Sequence, residues 1–132
     1  MTEFPFATAV DVRYQDHDTL GHVNNAAYVT YLEEARVDYF AEHADFEFED
    51  LSMVVAHLDV DFYQPVAHAD EVEVAVAVTG VGGSSFTMAY EVRDEGTVAV
   101  EAESVQVTID EETGESRPVP ESWRDAFAAA EA

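Results

Sequence analysis

Between residues 25 and 42 the chain carries apolar side chains on almost every side of a helix-length segment. Tyr28, Val29, Leu32, Ala35, Tyr39 and Phe40 recur three and four apart, the spacing of one helical face. Ala26, Ala27, Tyr31 and Val37 widen that stripe, and Thr30, Glu33, Glu34 and Asp38 leave only a narrow polar side. A helix with so little polar surface must be covered by other elements. The rest of the chain supplies strands to cover it. Residues 6–15 alternate well enough for a strand, and so do residues 53–63, 71–81, 84–93 and 97–109. Gly82-Gly83 and Asp94-Glu95-Gly96 read as tight turns between them. In residues 97–109 the apolar set changes parity between Val100 and Val105, which predicts a bulge near Glu103. Residues 42–52 read as a connection holding at most a short helical turn. Pro118 and Pro120 break the chain before a short terminal helix, whose Trp123 and Phe127 read as core. A strand, a long helix and then a meander predict an α+β fold, a curved antiparallel sheet around one long central helix. At 132 residues, with no linker or repeat, one domain over 1–132 is expected.

Charge narrows the function classes. There are 29 acidic residues against 5 basic ones, all arginine, for a net charge of −24. Disorder would explain such charge, but eight Phe, six Tyr and clear strand patterns argue for a folded chain. A folded protein built for molar salt, where surface repulsion is screened, is the expectation. The charge argues against nucleic-acid binding, because no basic patch exists. The absence of cysteine removes disulfides, thiolate metal sites and a cysteine nucleophile. No apolar run is long enough to span a membrane, and the acidic N-terminal segment is unlike a signal peptide, so a cytoplasmic location is expected.

The densest polar stretch is 16–36, DHDTLGHVNNAAYVTYLEEAR, where two aspartates, a glycine, a histidine and an Asn-Asn pair precede the helix. Asn24 or Asn25 can cap the helix start. Read together with 60–74, 80–92 and 99–120, the segment 13–36 resembles the hotdog-fold thioesterases of the 4-hydroxybenzoyl-CoA thioesterase-like group, which hydrolyse acyl-CoA. The specific words are Asp-x-Asp-x-x-Gly-His-Val-Asn-Asn and the tyrosine three residues on. The resemblance covers nearly the whole chain. It implies a hotdog fold, a homodimer or a homotetramer made of two dimers, and active sites at the dimer interface. It implies that Asp18 is the catalytic carboxylate. It also implies that backbone N–H groups near Asn24 and Asn25 polarise the thioester carbonyl. It places the Gly82-Gly83 turn, with Ser84 and Ser85, near the pantetheine and nucleotide end of CoA.

That assignment fits the chemistry. Thioester hydrolysis passes through a tetrahedral oxyanion, so the site needs a carboxylate to activate water or attack directly, and fixed donors where charge develops. A helix N-terminus supplies such donors. The candidate catalytic residues are Asp18, His22 and Asn25, with His22 orienting Asp18, contacting substrate or holding the loop. Gly21, Asn24, Tyr28, Ser84 and Ser85 are the candidate substrate-binding residues. Tyr28 also reads as core, Asn24 also as a cap, and Asp16 as support. His17 is expected to be exposed. His57 and Asp59 share a strand face and read as edge-strand surface. Asp16, His17, Asp18 and His22 carry metal-binding atom types, but in a spacing that matches no metal motif. Neither a metal nor an organic cofactor is expected. Two other readings remain at this point: a hotdog hydratase or dehydratase, and a non-catalytic acyl-thioester binding module. With five arginines to meet its phosphates, CoA also competes with another thioester carrier.

Overall fold

A computed structural model describes residues 4–43 and 52–131. Its elements are β1 (Phe6–Asp11), α1 (Asn25–His43), β2 (Met53–Phe62), β3 (Glu71–Val81), β4 (Ser85–Asp94), β5 (Thr97–Thr108) and α2 (Glu121–Ala130). The strands form one five-stranded sheet in the order β1-β3-β4-β5-β2, and every pairing is antiparallel. The long helix α1 lies against β1 and β3, with Tyr31, Leu32, Ala35 and Tyr39 wholly buried. The antiparallel sheet with its long helix fits the hotdog fold expected above.

Apolar burial holds the layers together. Val72, Val74 and Val76 of β3 and Phe86, Met88, Tyr90 and Val92 of β4 point into the same core as α1. The short helix α2 closes the core through Trp123 and Phe127, whose rings both meet Phe86. Its last turn is tied down from Glu131, which accepts hydrogen bonds from the Tyr39 hydroxyl (2.6 Å) and the Val78 N–H (3.1 Å).

Three local expectations change. The first strand ends at Asp11, because a 3-10 turn at Tyr14–Asp16 replaces its predicted continuation. Asp16 Oδ2 accepts the Arg13 N–H at 3.0 Å, which closes that turn. The bulge expected near Glu103 is absent: β4 and β5 pair without a break from Ser85–Val107 to Val92–Val100. The register shifts lie elsewhere, between Val55 and His57, Val78 and Gly80, and Val92 and Arg93. The parity change in β5 has another cause. Ser104, Gln106 and Thr108 are buried polar residues facing the core, while Val105 and Val107 face the other side. The side chains change character; the backbone keeps its pleat. The third change concerns His17, which is half-buried, with Nδ1 at 3.2 Å from the Tyr14 carbonyl oxygen. Most of the expected connection at 42–52 lies outside the described residues.

Candidate active site

The loop before α1 is built on a buried carboxylate. Asp16 is 7% exposed and accepts the Tyr31 hydroxyl (2.7 Å), the Arg13 N–H and the Arg13 guanidinium. Burial pushes its pKa up, but these hydrogen bonds more than offset that and hold it below the usual carboxylate value. Asp16 therefore anchors the loop to α1 through Tyr31, while its carbonyl accepts the Asn24 N–H (2.8 Å).

From that anchor the chain makes a tight reversal. His17 and Val23 form an antiparallel bridge, and the Asp18 N–H donates to the His22 carbonyl at 2.7 Å. Gly21 sits at the tip with φ +78°, and a Cβ there would meet the His68 ring at 2.5 Å. Both the backbone angle and that close approach require glycine. The reversal aims two amides at one oxygen: Asp18 Oδ1 accepts the N–H groups of Leu20 (2.8 Å) and His22 (3.1 Å). The His22 and Leu20 amides hold the Asp18 carboxyl below its ordinary pKa. Asp18 Oδ2 accepts no hydrogen bond from the described residues. His22 thus orients Asp18 through its backbone, and its ring makes no hydrogen bond among the described residues.

Asn24 turns this loop into a helix. Its side-chain oxygen accepts the Ala26 N–H (2.9 Å) and its carbonyl accepts the Ala27 N–H. The intervening amide, Asn25 N–H, has no acceptor among the described residues. It is a free donor at the positive end of a 19-residue helix.

Asp18, His22, Asn25 and Tyr28 line one cavity of about 260 Å³ together with Val23 and the segment Phe62 to Pro65. The Tyr28 ring is also core, 2% exposed and in contact with Phe62. Phe62, Tyr63, Gln64 and Pro65 were not singled out by sequence. An aromatic pair at a strand end stopped by proline was the signal available. Asn24 does not line this cavity, since its polar atoms serve the helix start. Gly21 borders a neighbouring depression with His17, Asp18 and His68.

Ser84 and Ser85 lie away from the cavity, at the β3–β4 turn. That turn is gripped by arginine: Arg124 donates to the carbonyls of Gly82 (2.6 Å) and Gly83 (3.1 Å). Arg117 stands beside it, with its Nε buried and without a hydrogen-bond partner. His57 and Asp59 are exposed on the edge strand β2. Among the described residues, no group of three or more His, Asp or Glu side chains is placed to hold a metal ion.

The model of the thioesterase-like superfamily matches residues 12–127. The acyl-CoA thioester hydrolase YbgC of Escherichia coli O6:H1 is 30% identical, over 89% of this chain and 91% of its own. The uncharacterized protein YsmA of Bacillus subtilis (strain 168) is 32% identical, over 94% of this chain and 83% of its own. A thioesterase from Thermus thermophilus, crystallised with coenzyme A and Zn, superposes with a TM-score of 0.89 at 39% identity. That match covers 99% of this chain and 97% of that one.

Proposed function

The chain belongs to the thioesterase-like superfamily, and on that premise we propose that it hydrolyses an acyl-CoA thioester to the free acid and CoA. It is a thioester hydrolase, a reading supported by the similarity to YbgC and to the Thermus thermophilus thioesterase. One observation carries the assignment of the site: the Asp18 carboxylate and the unpaired Asn25 N–H line the same cavity.

In the reaction, the thioester carbonyl oxygen accepts the Asn25 N–H at the start of α1. Asp18 Oδ2 takes a proton from water as the water oxygen bonds to the carbonyl carbon. The tetrahedral oxyanion is stabilised by the same amide and by the positive end of the helix. Collapse breaks the C–S bond, and the departing thiolate takes the proton from Asp18. In the nucleophilic variant Oδ2 itself attacks the carbonyl carbon, and the C–S bond breaks to release CoA thiolate and leave a mixed anhydride. Water then hydrolyses that anhydride to the free acid and the Asp18 carboxylate, the water's proton going to the thiolate. Both routes need Asp18 ionised, which its two loop amides favour. Neither route needs a metal or an organic cofactor. His22 holds Asp18 in place. Tyr28 walls the acyl side, and Gly21 and Asn24 set the loop against substrate. Ser84 and Ser85 receive the CoA end, where Arg117 and Arg124 supply positive charge near the phosphates.

The working unit in this proposal is a homodimer, alone or doubled to a tetramer, formed from the single domain 1–132. The outer edge of β2 has no strand partner among the described residues and exposes Val54 and Val55. Such an edge asks for a second strand. The protein is taken as cytoplasmic and adapted to salt. No helix among the described residues is long and apolar enough to cross a membrane.

Thiol release from short, long and aromatic acyl-CoAs in molar KCl tests the reaction. Asp18→Asn is expected to lower kcat by about 10²–10⁴-fold with the fold and assembly intact. Turnover retained in that variant overturns the role of Asp18. No turnover by the folded wild type on any acyl-CoA overturns the substrate class.

A further inference from the structure

Gly21 stands between the two amides that hold Asp18. The N–H groups of Leu20 and His22 bind one Asp18 oxygen, and Gly21 joins them. A glycine at φ +78° is the softest point of such a loop, and left free it would let both amides drift. His68 holds it. The His68 ring lies where a Cβ of Gly21 would stand: its Cε1 is 2.5 Å from that position, Nε2 3.0 Å and Nδ1 3.2 Å. The His68 N–H also donates to the Gly21 carbonyl at 3.1 Å. On either side the two segments are laced together, by the His22–Ala67 bridge, by the Val23 N–H on the Val66 carbonyl and by the Val12 N–H on the Asp70 carbonyl.

Histidine is an unexpected residue for that backbone. His68 has φ +52°, in the left-handed region that favours glycine. The other non-glycine residue there among the described residues is Glu95, at φ +49°. It sits in the two-residue turn between β4 and β5, where such angles are the rule. No hairpin turn accounts for His68. A glycine would follow the same path without strain. What glycine cannot supply is the ring. That ring is exposed and makes no hydrogen bond among the described residues, so its packing on Gly21 is the contact that the strain serves.

The contact bears on where Asp18 points. Its side chain borders two depressions, one with the free Asn25 N–H and the other with His17, Leu20 and His68. A carboxylate released from its amides can turn into either.

We propose that His68 is a positioning residue for hydrolysis: its ring packs on Gly21 and keeps the Leu20 and His22 amides on Asp18, so that the carboxylate stays turned to the cavity that takes the thioester. This rests on the thioesterase reading above and goes beyond it, since His68 lies outside that cavity.

The test measures kcat and KM in molar KCl for wild type, H68G and H68F, on the acyl-CoA that the wild type turns over fastest. H68G keeps the backbone path and removes the ring. Its kcat is expected to fall by about tenfold to 10²-fold with KM within about twofold, because a small misplacement of the reacting carboxylate acts on the chemical step. H68F restores the packing without the ring nitrogens, and its kcat is expected within about threefold of wild type. In H68G the Leu20 and His22 amides are expected to exchange with deuterium about tenfold faster or more by NMR, while the Ala27 amide, held by the Asn24 carbonyl, keeps its rate. If H68G does not fold, H68N is read in its place, since asparagine also accepts a positive φ and carries no ring. H68Y likewise replaces an H68F that does not fold. Unchanged kcat in H68G, or unchanged exchange of both loop amides, overturns the proposal. So does a rise in KM alone, which would make the ring a substrate contact, or an H68F no more active than H68G. Those outcomes leave the thioesterase reading standing. A wild type that turns over no acyl-CoA, or an Asp18→Asn variant as active as wild type, brings down the reading on which the proposal rests.

Discussion

At the residue scale, Asp18, the carboxylate proposed to act in hydrolysis, is a surface group whose ionised form is favoured without burial. Two loop amides bind one of its oxygens, favour the ionised form, and leave the other oxygen free. The sign follows for pH dependence. The active form is the carboxylate, and its pKa is depressed, so the ionised fraction stays high until the pH falls below the ordinary aspartate value of about 3.9. The acid limb of kcat/KM is therefore expected below about pH 4, measured in a chloride-balanced buffer series. An acid limb above pH 5 that disappears in Asp18→Asn would contradict the role of those amides. The Asp-x-Asp spacing and the glycine were legible in the sequence. The division of labour between the aspartates was only half legible. Asp16 faces inward to Tyr31, fifteen residues away, and that contact depends on how α1 lies against the loop.

At the scale of elements, the start of α1 is the part that counts. Asn24 satisfies the Ala26 and Ala27 amides and leaves the Asn25 amide open. Replacing Asn24 by Ala is expected to cost about 1 kcal/mol, as for other N-cap losses. For a chain of this size that is about 3–5 °C in Tm. Hydrolysis should fall with it, since the free amide is positioned by the same turn. Thermal unfolding in molar KCl checks the first part, and an unchanged Tm would show that the cap contributes nothing. Apart from the end of β1, which stops four residues short of the expected strand, the helix and strand boundaries were legible to within a residue or two, because they follow side-chain periodicity and turn residues. The 3-10 turn at Tyr14–Asp16 was not, because it is closed by a carboxylate three residues on from the amide that it binds.

At the scale of the molecule, the acidic excess becomes a specific arrangement on the outer face of the sheet. Across the strands Asp61 stands opposite Glu101, which stands opposite Glu91; Asp59 stands opposite Glu103. Arg93 answers Glu91 and Glu73. Glu103 has Asp59 and Ala89 as its cross-strand neighbours, and like charges placed so destabilise a sheet. In about 1 M salt the Debye length is about 3 Å and this repulsion is largely screened. Tm is therefore expected to rise steeply from millimolar to molar KCl. Glu103→Gln should raise the low-salt Tm more than the molar-salt Tm. A Tm that hardly moves with salt would remove the salt-adapted account of the composition.

The element order, the covered helix and the loop that carries Asp18 could all be read from the order of residues. These are properties of neighbours along the chain: periodicity, turn residues and the short reach of a carboxylate to nearby amides. Tertiary structure alone decided the rest. It brought Phe62 to Pro65 to the far wall of the Asp18 cavity. It set Ser104, Gln106 and Thr108 inward on β5, against the apolar pattern, and seated Arg36 over Tyr90. Each of these joins residues far apart in the chain, whose meeting depends on strand order and helix placement. No local spacing encodes a distance across a sheet.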